Sequence, residues 1–189
     1  MNKPNSNLKD NFLISMPVLG EHKYQNTLIY ICHQGEYGSM GIILNQEYDM
    51  DLATMLQHLA IKTNHKIPNQ AVYRGGDVQN DRGFILHPHN PDDDWLSSYQ
   101  VSEALSLTSS VDILEAMAIG DGPKTAHIAL GYIGWKPAEL ETEIIDNLWL
   151  NCPVNLDIIF NVAAADKMQA AASLIGVELN ALTTHSGNA

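Results

Sequence analysis

Residues Thr27–His33 read Thr-Leu-Ile-Tyr-Ile-Cys-His, apolar, β-branched or aromatic at almost every position. A turn over Gln34–Gly38 and a second apolar run, Met40–Leu44, follow. Strand side chains alternate between two faces, so a strand that is apolar throughout has both faces covered. The pair reads as a hairpin with a longer loop, and whatever else the chain builds must pack on both sides of it. With 189 residues, one core is sufficient, since a chain of this size buries about 70% of the surface its unfolded form exposes. The expected fold is α+β (α/β): a single compact domain over residues 8–184, with a mixed, largely antiparallel twisted sheet and helices packed on it. Residues 1–7 and 185–189 are expected as flexible tails.

The remaining elements follow from periodicity. Phe12–Ile14 is a short buried strand stopped by Pro17. Asp49 or Asp51 caps a helix whose Leu52, Met55, Leu56 and Leu59 form one apolar stripe. Ala71–Tyr73 is a strand ending in Gly75-Gly76, and Asp81-Arg82-Gly83 is a turn into the strand Phe84–His87. Tyr99–Leu107 reads as strand, with helix as the competing assignment. Ser109 or Ser110 caps a helix that turns Val111, Leu114, Met117 and Ala118 inward and stops at Gly120. Thr125–Ile133 is a central strand and Leu156–Phe160 another. Ala164, Met168, Ala171 and Ile175 define a last helix stopped by Gly176.

Gly131–Asn151 holds two of the three tryptophans and the densest set of acids. Pro137 suits a first helical turn, which puts helix entry near Lys136. Leu140 and Ile144 then share one stripe, Glu139, Glu143 and Asp146 share another, and Glu141 points elsewhere. The acid stripe reads as a solvated face favoured by the helix dipole, and Trp135 as core in preference to a binding-site wall.

Charge and cysteine content narrow the partners. Ten Lys+Arg against 22 Asp+Glu give a net charge of −12, and the basic residues are scattered, which argues against nucleic acid as a partner. No apolar run approaches the roughly 20 residues that span a bilayer, and the amino terminus is polar. Two cysteines, Cys32 and Cys152, with no leader segment indicate free thiols and a cytoplasmic protein. Cys32 and His33 are adjacent on a strand, face opposite sides and cannot form a dyad, so Cys32 reads as structural.

Candidate chemistry is sparse. His87 and His89 share a strand face, but two ligands do not make a metal site, so no metal and no cofactor are expected. No phosphate loop, dinucleotide fingerprint, nucleophile elbow or zinc helix is present. Arg74 and Arg82, the only arginines, flank Gly75-Gly76, whose backbone N–H groups suit a small anionic ligand. The favoured alternative is that Arg82 pairs with Asp77 or Asp81. The candidate ligand-binding set is Arg74, Gly75, Gly76, Arg82, His87, Trp135, Glu139 and Glu141.

Several segments taken together resemble the YqgE/AlgH family of bacterial proteins: Phe12–Pro17 (FLISMP), Tyr30–Asn45 (YIC…GSMGIILN) and Gly75–His87 (GG-x-V…DRGFILH). Leu107–Leu114 (LTSSVDIL), Leu130–Glu141 (LGYIGW…ELE) and Asn147–Leu150 (NLWL) complete the set. The chain departs from the family pattern at Asp77, where proline is usual, at His33-Gln34, and at Ala138-Glu139, where Gly-Gln is usual. The resemblance implies a compact cytosolic α/β domain in a family some of whose members carry a transcriptional-regulator label. The expectation is therefore a non-catalytic regulatory or interaction protein, with an unknown protein partner or a small anionic ligand. The alternative is a small-molecule enzyme or binder with a pocket near Trp135, Glu139, His87 and Arg82.

Overall fold

The computed structural model describes residues 7–17 and 23–179. Apart from Asn7, the two expected tails lie outside this range. At the centre of the sheet runs β9 (His127–Trp135), with β6 (Val78–Pro88) antiparallel on one side. On the other side β3 (Gly38–Ile43) pairs antiparallel with Gly41 opposite Ile133, while β5 (Ala71–Arg74) pairs parallel with Ile128–Leu130. Beyond β3 the sheet continues through β2 (Leu28–Gly35) and β1 (Asn11–Ser15) to β10 (Trp149–Pro153). Beyond β6 it passes through β8 (Leu105–Thr108) to β7 (Ser98–Gln100), and β4 (Glu47–Asp51) pairs with β5. This is a ten-stranded curled sheet, antiparallel at every described pairing except β5–β9.

Five α-helices cover it among the described residues: α1 (Leu52–His58), α2 (Val111–Ile119), α3 (Glu139–Ile145), α4 (Leu156–Phe160) and α5 (Lys167–Ser173). In β2, Leu28, Tyr30 and Cys32 enter a core filled by α4 and α5 through Ile158, Ile159, Ala171 and Ala172. Ile29 and Ile31 turn the other way, into a second cluster with Ile133, Trp135, Trp149 and Leu140 of α3. Both faces are thus covered, as the unbroken apolar run requires. A third cluster seats α1 and α2 on Val72, Ile85 and Ile128.

Several local expectations are corrected. Leu156–Phe160 is helix α4: Asn155 accepts a hydrogen bond from the Asp157 amide and caps it. A short apolar run carries no periodicity that separates strand from helix. Asp81-Arg82-Gly83 lies within β6, where the register against β9 shifts between Val78 and Gly83. β4 and β10 were not foreseen; β10 is held by five register pairs with β1. Tyr99–Leu107 divides into parts of two short strands, β7 and β8. Val111 and Leu59 face outward, and Ile175 lies beyond α5 and is exposed.

Candidate functional site

The acids of α3 are committed to its own scaffold. Glu143 Oε2 accepts hydrogen bonds from two indoles, Trp135 Nε1 at 2.8 Å and Trp149 Nε1 at 2.6 Å. The two rings meet edge to face at 6.3 Å, a favoured aromatic geometry. Glu139 accepts from the Lys136 amide at 2.7 Å, closing the helix start, and Glu141 accepts from Gln34 Nε2 at 2.6 Å. Trp135 and Trp149 are both buried. A spacing that leaves Glu143 facing solvent in the sequence in fact places it over the two indoles.

His87 is buried, and burial lowers its pKa, so the neutral ring is favoured. Its Nδ1 lies 2.9 Å from the Pro88 carbonyl and therefore carries the proton, leaving Nε2 to accept from the Thr108 hydroxyl at 2.9 Å. His89 Nδ1 contacts Ser106 Oγ at 2.9 Å. The two histidines thus engage separate hydroxyls on β8. Among the described residues no group of three His, Cys, Asp or Glu side chains is placed to hold a metal ion.

Arg82 does not pair with Asp77 or Asp81. It donates to the Ser109 carbonyl at 3.3 Å and the Ser109 hydroxyl at 2.9 Å, because the irregular part of β6 turns it toward the end of β8. Asp77 instead meets Lys23 Nζ at 2.6 Å and Tyr24 Oη at 2.5 Å. The Lys23 hydrogen bond, then that of Tyr24, holds the Asp77 carboxyl below its ordinary pKa. Trp135, His87 and Arg82 therefore sit in three hydrogen-bond networks that share no partner.

Gly75 and Gly76 are there for close approach. A Cβ on Gly75 would lie 2.2 Å from the Gly131 carbonyl oxygen, and one on Gly76 2.0 Å from the Tyr132 carbonyl carbon. Backbone against backbone at this distance admits only glycine. Next to the loop a cleft of about 180 Å³ opens, with Arg74 and Gly76 in its lining beside Lys23, Tyr24 and Tyr48. The Arg74 guanidinium lies over the Tyr48 ring at 5.1 Å.

A second polar group carries no motif in the sequence. Lys167 is 1% exposed and donates to the Ile159 carbonyl at 2.5 Å, its Nζ over the Tyr73 ring at 5.2 Å. Tyr73 and His127 stack at 4.1 Å. Burial lowers Lys167 to about 8 and fully buried His127 to about 3. The available signal was position: Lys167 precedes Ala171 by four on the apolar stripe, and His127 shares a strand face with Ala129. Both cysteines are free and buried; burial raises the Cys32 thiol and puts Cys152 at about 11.

A family model described as AlgH-like matches residues 12–180. The chain belongs to this AlgH-like family. A UPF0301 protein of Thioalkalivibrio sulfidiphilus is 45% identical over 184 residues, covering 97% of this chain and 98% of that protein. A UPF0301 protein of Pseudomonas putida is 41% identical over 191 residues, covering 97% of each. The solution structure of AlgH from Pseudomonas aeruginosa superposes with a TM-score of 0.79 at 36% identity over 100% of both chains. A crystal structure from Corynebacterium diphtheriae shares the fold, with a TM-score of 0.74 at 16% identity over 96% of this chain and 94% of that one. The AlgH-like match agrees with the resemblance carried by the ordered sequence segments.

Proposed function

We propose that this AlgH-like chain is a non-catalytic regulatory or interaction protein of the cytoplasm. The observation that carries the reading is where the reactive groups are spent. Glu143 holds two indoles, Glu139 closes a helix start, and the ring nitrogens of His87 meet Pro88 and Thr108. Cys32 is buried with its thiol pKa raised, which disfavours the nucleophilic thiolate. Large apolar side chains meanwhile point outward, Leu96 at 87% and Tyr37 at 88% exposure, and tyrosine is enriched among the anchors of protein contacts. With a net charge of −12, regulation by direct DNA contact is disfavoured, because phosphate binding rests on clustered Lys and Arg. No described helix is long and apolar enough to cross a membrane.

The test has two arms. Purified protein incubated with pooled bacterial metabolites should form no product above the level of the His87→Ala and Glu143→Gln variants, as read by mass spectrometry. Immobilised protein should retain a defined protein partner from bacterial extract, and Leu96→Asp or Tyr37→Asp should release it. Turnover that disappears in Glu143→Gln or His87→Ala would overturn the reading.

A further inference from the structure

The cleft beside the Gly75-Gly76 loop has the chemistry of a carboxylate site, and this inference does not depend on the preceding reading. Arg74 is exposed, and among the described residues it makes no ion pair and no side-chain hydrogen bond. Its contact is the face of Tyr48. The guanidinium carbon lies 5.1 Å from that ring's centroid, and a planar guanidinium with no acidic partner among the described residues offers a fork of N–H donors that matches a carboxylate. Lys23 and Asp77 form an ion pair in the lining of the same cleft, at 2.6 Å. Both Asp77 oxygens are occupied, one by Lys23 and one by Tyr24, so Asp77 does not reach across to neutralise Arg74. Gly76 is buried in the cleft lining, and its amide donates to no backbone carbonyl among the described residues. A buried N–H of this kind is normally paired.

We propose that this cleft binds a small monocarboxylate, its two oxygens on the Arg74 fork and the Gly76 amide, with Lys23, already paired to Asp77, as a second positive charge in the lining. Charge arithmetic favours a carboxylate over a phosphate. Arg74 and Lys23 contribute two positive charges and Asp77 one negative, which leaves one net positive charge for one negative ligand. A phosphate dianion would leave excess negative charge beside Asp77 in a chain already at −12. The cleft of about 180 Å³ equals the liquid volume of roughly six waters, which suits a short hydroxy, keto or amino acid. Asn80 also lines the cleft, and its amide offers a donor and an acceptor to such a substituent.

The experiment is an NMR titration of ¹⁵N-labelled protein with sodium lactate at constant ionic strength, beside parallel titrations with inorganic phosphate and sodium chloride. Lactate should shift the Gly76 amide and the Arg74 Nε–H resonance saturably, and phosphate should bind more weakly. Arg74→Gln should weaken lactate at least tenfold while leaving the amide spectrum outside the cleft unchanged. Lys23→Met, which leaves the fork in place, should weaken it less. Shifts that track chloride, saturation that survives Arg74→Gln, or phosphate binding tighter than lactate would each overturn the proposal.

Discussion

A single oxygen of Glu143 joins two tryptophans that lie 14 residues apart in sequence, one on β9 and one on β10. Glu143→Leu leaves both indole N–H groups without that acceptor in a half-buried setting. A buried donor left unpaired costs about 1–3 kcal/mol, so the expected loss is about 2–4 kcal/mol in urea unfolding; Glu143→Gln, which keeps an acceptor, should lose less than half of that. Ala138 just ahead of α3 sits at φ 64, a left-handed conformation that costs a residue with a Cβ about 1 kcal/mol. Ala138→Gly should raise stability by up to about 1 kcal/mol, since the released strain is partly offset by the freer unfolded chain. Lys167 carries a titration. Its pKa falls from 10.5 to about 8 on folding, so between those values the unfolded chain binds more protons and Lys167 makes stability rise with pH. The buried tyrosines and thiols, whose values are raised, act in the opposite sense above their ordinary values, and a comparison with Lys167→Met removes them. The stability advantage of that variant over wild type should shrink by about 3 kcal/mol from pH 8 to 10.5. A constant difference would show that Lys167 titrates normally.

Elements were legible where a pattern was long or capped. The unbroken run of β2, the stripe of α1 with its Asp51 cap, and the Gly120 stop of α2 at φ 87 all follow from local chemistry. The five residues of α4 were not legible, because their helical state rests on the Asn155 cap and on Ile158 and Ile159 entering a core assembled from distant strands. The candidate site divides in the same way. Arg74 and Gly76 fall in one cleft, but their neighbours Lys23, Tyr24 and Tyr48 arrive from segments with no motif. In sequence the glycine pair suggests open amides, whereas its first task is packing against β9. Gly76→Ala drives a methyl into the Tyr132 backbone at 2.0 Å, where the obstacle is β9 main chain and no flexible side chain can move aside. The expected cost is about 3 kcal/mol or more. Gly134 lies on β9 itself with only ordinary contacts, the nearest at 3.5 Å, and Gly134→Ala should change stability by less than about 1 kcal/mol. Equal thermal midpoints for the two variants would contradict this account of the loop.

At the scale of the molecule, the curl of the sheet turns Tyr73 of β5 into the same interior that α4 and α5 fill, and Tyr73 there carries both the His127 ring and the Lys167 ammonium. No local pattern announces this, because the three residues come from β5, β9 and α5 and meet only when the sheet closes around its helices. The consequence is a fold sensitive to acid. Burial first, then the nearby charge of Lys167, lowers His127 from 6.5 to about 3. In that window the unfolded chain takes up a proton that the folded chain refuses, so stability falls as pH falls from 6.5 toward 3. His87, also lowered by burial, adds in the same direction. The carboxyls of Asp51 and Asp77, lowered from 3.8, contribute only once the pH approaches that value. His127→Phe keeps a ring on Tyr73 and removes the titration. Its overall stability is offset by repacking, so the informative quantity is the slope: the variant should gain about 2 kcal/mol on wild type between pH 6.5 and 4.5, measured by urea unfolding at each pH. Parallel profiles would place the acid sensitivity elsewhere than in the interior formed by the curl.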